Sequence, residues 1–411
     1  MVGLVLTAGG ARGAYQAGVL KRLGELPGLR DGPSPFPIVT GASAGAINGA
    51  MIASGSSSLG SATRALASLW ARLSMEQVVR TDVLSMGRSA LGMARDLCLG
   101  GLLGRTVTLG VLDASPLRAF LARTLPLAGI GDSIRAGHLY AVAISTTSYH
   151  SGRSFTFVEG RTGHPSWQKS RRVVLPVRLT VDHVCASAAI PIVFPPVRIA
   201  SAAGDLWFGD GGLRLVTPFS PAIRLGASHV LAIGVRSQRA AESLQREELA
   251  AAEDGAAAPL CPPLAQVCGV FLNAIFLDHL DADLDHLKRM NELILAHHPG
   301  GDGAVAARWS GPTVSEPMRV VTPLVVSPSE DLALVAQRFA HRMPRLVRYV
   351  IEGLGTPDAQ SADLMSYLLF DASYTRTLVE IGYRDAGARI DELEALLRAG
   401  RTPDRQAAPA A

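Results

Sequence analysis

The apolar run Phe36-Pro37-Ile38-Val39 leads directly into Thr40-Gly41-Ala42-Ser43-Ala44-Gly45-Ala46, and small residues continue as far as Ile52. A strand that turns at a serine with glycines two residues to either side, and leaves as a helix of small side chains, packs only with that helix close on a sheet. The same punctuation occurs earlier. Val2–Thr7 reads as a buried strand, Ala8-Gly9-Gly10-Ala11-Arg12-Gly13 as a tight turn, and Ala14–Leu26 as a helix. Two such units in succession predict an α/β fold with a mostly parallel central sheet.

The turns also carry chemistry. Where glycines precede a helix, backbone N–H groups stand uncovered and can hold an anion. Gly9–Gly13 has neither the glycine spacing of a dinucleotide fingerprint nor the Gly-Lys-Ser/Thr ending of a phosphate loop, which leaves an oxyanion hole. Ser43 sits where a corner presents a nucleophile. A third glycine-bearing segment, Leu206-Trp207-Phe208-Gly209-Asp210-Gly211-Gly212, places a carboxylate at a strand end. Taken alone, Asp-Gly-Gly is more often a plain turn.

Further strands are expected at Leu139–Ser145, Phe155–Val158 and His229–Val235, and helices at Ala62–Leu73, Pro116–Leu125 and Thr180–Ala189. Arg319–Val326 reads as a late strand that rejoins the sheet at an edge, where Pro323 is tolerated. Leu84–Gly104, apolar with Arg88 and Arg95, fits a lid or a lipid-touching helix, and equally a peripheral packing helix. Helices are expected over Leu264–His298, Asp331–Phe339, Met343–Gly353, Ser361–Phe370, Ala372–Gly382 and Asp385–Gly400. The division that follows is a core over 1–238, a flexible surface segment over 239–263, and a mainly helical extension over 264–411 that returns strand 319–326 to the core.

Composition narrows the function classes. With 48% hydrophobic and 18% charged residues in 411, the chain is far from the disordered class. Its net charge of +4 is scattered, which argues against nucleic acid. No apolar run is long enough to span a membrane, and no charged n-region or cleavage site comes before the strand at Val2, so a cytoplasmic protein, peripheral at most to a membrane, is expected unless a leader has been trimmed away. The four cysteines have no metal-binding spacing. Asp281, Asp285 and His286 could share a helix face as metal ligands, but a solvated helix surface explains them more simply. No metal or cofactor is expected.

The three glycine-bearing segments occur in a fixed order, and together they resemble the patatin-like phospholipase family. Gly9-Gly10-Ala11-Arg12-Gly13 matches that family's oxyanion loop, Gly41-Ala42-Ser43-Ala44-Gly45 its nucleophile elbow, and Asp210-Gly211-Gly212 its second catalytic segment. The block Ala186–Pro196 is similar to the stretch before Asp-Gly-Gly in bacterial members. Ser366–Asp371 and Gly382–Ala386 are similar to the C-terminal extension of a bacterial subgroup.

The resemblance implies a three-layer α/β/α patatin-like fold and a Ser-Asp dyad that cleaves acyl esters of phospholipids, lysophospholipids or related lipids without a metal. Ser43 would attack the carbonyl, Asp210 would take its proton, and the N–H groups of Gly10, Ala11 and Arg12 would hold the oxyanion. Its partners would be a lipid or acyl-ester substrate and, at the periphery, a membrane surface, with no protein partner identified. Two other readings stay open. One is a non-catalytic lipid-binding or protein-interaction module on this fold. The other is an esterase with a Ser-His-Asp triad, drawing on His229, His279, His286, His297, His298 or His341. An ordinary carboxylate is a poor base at neutral pH, so Asp210 must be desolvated or the Ser43 alkoxide strongly stabilised. A side chain at Gly10 is expected to crowd the oxyanion and to spare the fold.

Overall fold

The computed structural model describes residues 1–80, 110, 112–169, 171–201, 204–237, 267, 270, 278–297, 319–344, 348 and 362–401. The first half holds β1 (Val2–Leu6), α1 (Gly13–Gly24), β2 (Ile38–Ala42), α2 (Ala44–Ser54), α3 (Leu59–Ala71), α4 (Met75–Val78), α5 (Ser115–Thr124), α6 (Ala128–Arg135), β3 (Ala141–Ser148) and β4 (Ser154–Gly160). Next come β5 (Gln168–Lys169), β6 (Arg172–Pro176), α7 (Val181–Ser187), β7 (Val197–Ser201), β8 (Gly204–Gly209), α8 (Ser220–Arg224) and β9 (His229–Ile233). The last part comprises α9 (Asp278–His297), β10 (Thr322–Val326), α10 (Leu332–Arg338), α11 (Ala362–Leu368), α12 (Ala372–Ala388) and α13 (Ile390–Arg401).

The sheet runs β10-β9-β1-β2-β3-β4-β6-β5, and the β7–β8 hairpin joins the end of β3. All pairings from β10 to β3 are parallel, and β4 then enters antiparallel to β3. Every residue of β1 and β2 is buried, as a central parallel strand covered on both faces requires. Their side chains alternate between two cores. Leu4, Leu6 and Val39 pack with α1 and α2, whereas Val5 and Ile38 pack with Phe219, Leu225 and Leu280 on the other face. The outcome is a three-layer α/β/α fold with a mostly parallel sheet and a helical C-terminal region, as expected.

The chain from β10 onward is built into these layers. β10 pairs with β9 as an edge strand with Pro323 in it. α12 packs along α1 at a distance that leaves no room for side chains. A Cβ on Gly18 would lie 2.0 Å from the carbonyl oxygen of Val379, and one on Gly382 would lie 2.2 Å from that of Tyr15. Gly382 therefore does not end a helix at 382, as expected from its type. It is the point of closest approach, and α12 continues to Ala388. The next helix accordingly starts at Ile390 rather than Asp385.

Other boundaries moved by a few residues. β2 begins at Ile38 instead of Phe36: Pro37 has no N–H to give a neighbouring strand, although its carbonyl accepts the N–H groups of Tyr140 and Ala141. β6 and α6 were not expected. Leu84–Gly104, 239–263, most of 264–277, His298, most of Met343–Gly353 and Ser361 lie outside the described residues. No helix among the described residues is long and apolar enough to cross a membrane.

Candidate active site

Ser43 occupies the corner between β2 and α2 with φ 54° and ψ −125°, a conformation that a non-glycine residue adopts only under constraint. Such a backbone costs on the order of 1–3 kcal/mol and persists only where surroundings hold it. The glycines on either side make the corner possible. A Cβ on Gly41 would stand 2.2 Å from the carbonyl oxygen of Gly45, and one on Gly45 equally close to that of Leu6. The corner is also tied from outside. Ser187 Oγ, at the end of α7, accepts the Ser43 N–H at 2.9 Å and donates to the Ser145 carbonyl of β3 at 2.6 Å.

Topology brings the carboxylate to this point. β2 and β3 are parallel neighbours, and β8 pairs with the last two residues of β3, so its end emerges beside Ser43. Asp210 follows at once. Its N–H donates to the Ala189 carbonyl at 3.0 Å, and its own carbonyl accepts from Thr147 Oγ1 at 2.8 Å. The carboxylate is fully buried. Oδ2 accepts from Ser43 Oγ at 2.6 Å, and Oδ1 accepts from the Gly212 N–H at 2.7 Å. Burial pushes the Asp210 carboxyl up to about 7, and the hydrogen bonds from Ser43 and Gly212 offset this only in part. Of the two conditions stated for a base at this position, desolvation is the one this environment provides. Gly211 is required at its place, since a Cβ there would stand 2.1 Å from the Ser145 carbonyl oxygen.

The glycine loop between β1 and α1 lies where the strand order reverses, β2 and β3 extending one way from β1 and β9 and β10 the other. Gly9 has φ 167° and ψ 8°, and Gly10 is left-handed, at φ 54°. The N–H groups of Gly10 and Ala11 take no part in the loop's own hydrogen bonds. The Arg12 N–H does, donating to the Gly9 carbonyl at 3.1 Å, so it is not available to an oxyanion. Gly13 opens α1 against Ala44 and Trp70. The expectation about a side chain at Gly10 also needs correcting. A Cβ there would meet the Tyr367 carbonyl oxygen at 2.4 Å, so it would strike α11 and disturb the fold as well as the loop.

A buried polar network fixes the other side of this loop. Trp70 Nε1 donates to Asn48 Oδ1 at 2.7 Å, and Asn48 Nδ2 donates to Gln16 Oε1 and to the Gly13 carbonyl, both at 2.9 Å. Gln16 Nε2 in turn donates to the carbonyls of Thr7 and Ile233 at 3.0 and 3.1 Å. Ser187, Gln16, Asn48 and Trp70 were not anticipated as site residues. A signal existed: Gln16 and Asn48 are lone amides in otherwise apolar helix segments, and a buried polar group needs partners.

In front of Ser43 lies a cleft of about 440 Å³, partly open to solvent. Gly10 and Ser43 form its floor, and Leu69, Leu73, Phe120, Ile190, Phe194 and Phe370 are among its walls. Among the described residues no histidine lines it. His229 starts β9 at the opposite end of the sheet, with its Nδ1 3.2 Å from Ser228 Oγ. His279 and His286 belong to α9, His297 ends it, and His341 is exposed. Asp285 and His286 are exposed as well, and among the described residues no three His, Cys, Asp or Glu side chains are grouped to hold a metal. Asp283 on the same helix is buried instead, accepting the Phe219 N–H at 2.9 Å.

A family model described as patatin-like phospholipase matches residues 4–223. No match is found among curated proteins. Among solved structures, VipD from Legionella pneumophila aligns at 12% identity over 97% of this chain and 67% of its own, with a TM-score of 0.34. Human GIVD cytosolic phospholipase A2, in complex with methyl gamma-linolenyl fluorophosphonate, aligns at 14% identity over 97% of this chain, with a TM-score of 0.38. The alignment covers 59% of the human chain, so the present chain spans about three-fifths of it. Full-length ExoU of Pseudomonas aeruginosa, in complex with SpcU, aligns at 14% identity over 86% of this chain and 70% of its own, with a TM-score of 0.27.

Proposed function

The chain belongs to the patatin-like phospholipase family of lipid hydrolases, and from that premise we propose that it cleaves carboxylic esters of phospholipids, lysophospholipids or related acyl lipids through Ser43 and Asp210. The observation that carries this reading is the 2.6 Å hydrogen bond from Oγ of Ser43, which lines an apolar cleft, to a fully buried carboxylate behind it. Ser43 Oγ attacks the ester carbonyl carbon while Asp210 Oδ2 accepts its proton. The N–H groups of Gly10 and Ala11 hold the oxyanion, and Asp210 returns the proton to the departing alcohol. Water then attacks the acyl-Ser43 ester, again with Asp210 as base, and releases the fatty acid. The acyl chain lies along the cleft walls.

Residues 1–238 form the catalytic core in this reading, and the described part of 264–411 is an extension that contributes to both sheet and cleft. Contact with a lipid surface belongs to it as well: Ile192, 68% exposed, is flanked in sequence by cleft-lining Ile190 and Phe194. A catalytic role is favoured over a binding module because a binding floor has no use for a constrained serine facing a carboxylate. The dyad is favoured over a triad because the described cleft walls carry no histidine.

The pH profile tests the base. Asp210 acts only as carboxylate, and its pKa is raised to about 7, so activity is lost as pH falls through that value. With a p-nitrophenyl ester, kcat/KM should rise with pH and level off above an apparent pKa near 7. A profile flat down to about pH 5, near the ordinary carboxylate range, would exclude Asp210 as a desolvated base.

The cleft assignment has its own test. Phe370 is buried in the wall, and Phe370→Ala opens space for a longer chain. The ratio of kcat/KM for an octanoyl over a butyryl ester should increase roughly three- to thirtyfold. An unchanged ratio would place the acyl chain elsewhere.

A further inference from the structure

The Arg12 side chain turns away from Ser43 and into the C-terminal helices. Its guanidinium is buried, and three groups from a single short stretch surround it. Nε donates to Ser366 Oγ at 2.7 Å, Nη2 donates to Asp363 Oδ1 at 2.6 Å, and the Tyr367 ring lies 4.4 Å from Cζ. Ser366 Oγ is itself fixed, donating to the Asp363 carbonyl at 2.5 Å. The same stretch reaches the loop through its backbone, where the Tyr367 carbonyl closes on Gly10. Two residues beyond α11, Phe370 enters the cleft wall, and Thr375 Oγ1 donates to the carbonyl of cleft-lining Trp70 at 2.7 Å.

A charge taken wholly out of water is retained only where it is paired and hydrogen-bonded, and here every such partner is supplied by α11. Arg12 is also the residue whose N–H closes the turn onto Gly9, so its anchored side chain holds one end of the turn that contains the two preceding peptides. Those peptides carry the uncommitted N–H groups of Gly10 and Ala11.

We propose that Arg12 is a positioning residue, locked by Asp363, Ser366 and Tyr367, and that through it α11 sets the direction of the Gly10 and Ala11 N–H groups toward the reacting carbonyl. The proposal rests on the acyl-hydrolase reading above. It makes the C-terminal extension a working part of the site. Its effect falls on the transition state, because the oxyanion forms only there.

Asp363 is partly exposed, which makes it the practical point of attack. Wild type, Asp363→Ala, Asp363→Glu, Ser366→Ala and Ser43→Ala are compared in hydrolysis of p-nitrophenyl butyrate and in the rate of covalent inactivation by an alkyl fluorophosphonate. Thermal melting establishes that each is folded at the assay temperature. Asp363→Ala and Ser366→Ala should lose about ten- to a hundredfold in kcat with KM within twofold, as expected for misaimed donors. Inactivation should slow in parallel, and Asp363→Glu should recover most of the loss. If Asp363→Ala fails to fold, Ser366→Ala alone decides the matter through the same kcat and inactivation readouts. A folded variant with wild-type kcat, or a loss confined to KM, would overturn the proposal while leaving the dyad standing. Wild-type activity no greater than that of Ser43→Ala would overturn the acyl-hydrolase reading and this inference with it.

Discussion

Asp210→Asn should give a folded protein that hydrolyses esters about a hundred- to ten-thousandfold more slowly than the wild type. Asparagine matches the shape of the carboxylate, so its oxygen can keep the Gly212 N–H now bound at 2.7 Å. Its amide nitrogen would face Ser43 Oγ and donate where Asp210 Oδ2 now accepts. The hydroxyl proton then has no acceptor, and the serine cannot be activated. Stability should move the other way. The Asp210 pKa is raised from 3.8 to about 7 on folding, so the folded state holds this proton more tightly than the unfolded chain. The cost of the buried charge is therefore absent below about pH 4, grows as pH rises, and is complete above about pH 7. Asp210→Asn should melt above the wild type at pH 8 and near it at pH 4, as measured by thermal denaturation. A variant that stays active, or that gains nothing at pH 8, would contradict the account of the carboxylate.

Ser43→Ala should show the larger loss, about a millionfold in kcat, which in practice is loss to the background rate. The cleft and loop remain, so substrate still binds. Ser43→Gly should be equally inactive and more stable than Ser43→Ala by about 1 kcal/mol, because glycine adopts φ 54° without constraint. Parallel melting curves and ester assays would check both statements. Equal stability of the two variants would mean that the corner stores no strain, and residual activity in either would remove Ser43 from the mechanism.

Much of this arrangement is legible in the chain, for a physical reason. A backbone that must bend sharply against another backbone can use only glycine, so Gly41, Gly45 and Gly211 mark in sequence what the fold does in space. Buried parallel strands likewise announce themselves as short apolar runs, as at Val2–Leu6 and His229–Ile233. Gly382 shows where the same logic misleads. A glycine within a helical pattern reads as a stop, yet here it admits the backbone of α1, and nothing local to 382 distinguishes the two cases. β6 was missed because only one of its residues is buried, leaving no clear alternation. The role of Arg12 was hidden for a different reason: its partners lie more than 350 positions away, and only the packed structure brings them to the loop.

The central claim, that Ser43 is the activated nucleophile and Asp210 its base, is tested most directly by mass spectrometry after reaction with an alkyl fluorophosphonate. Such a reagent phosphonylates an activated serine and goes no further. A single adduct is expected on Ser43, within the tryptic peptide Asp31–Arg64, forming readily in the wild type, much more slowly in Asp210→Asn and never in Ser43→Ala. An adduct on any other residue of an active preparation, or ester hydrolysis that persists in Ser43→Ala, would contradict the assignment.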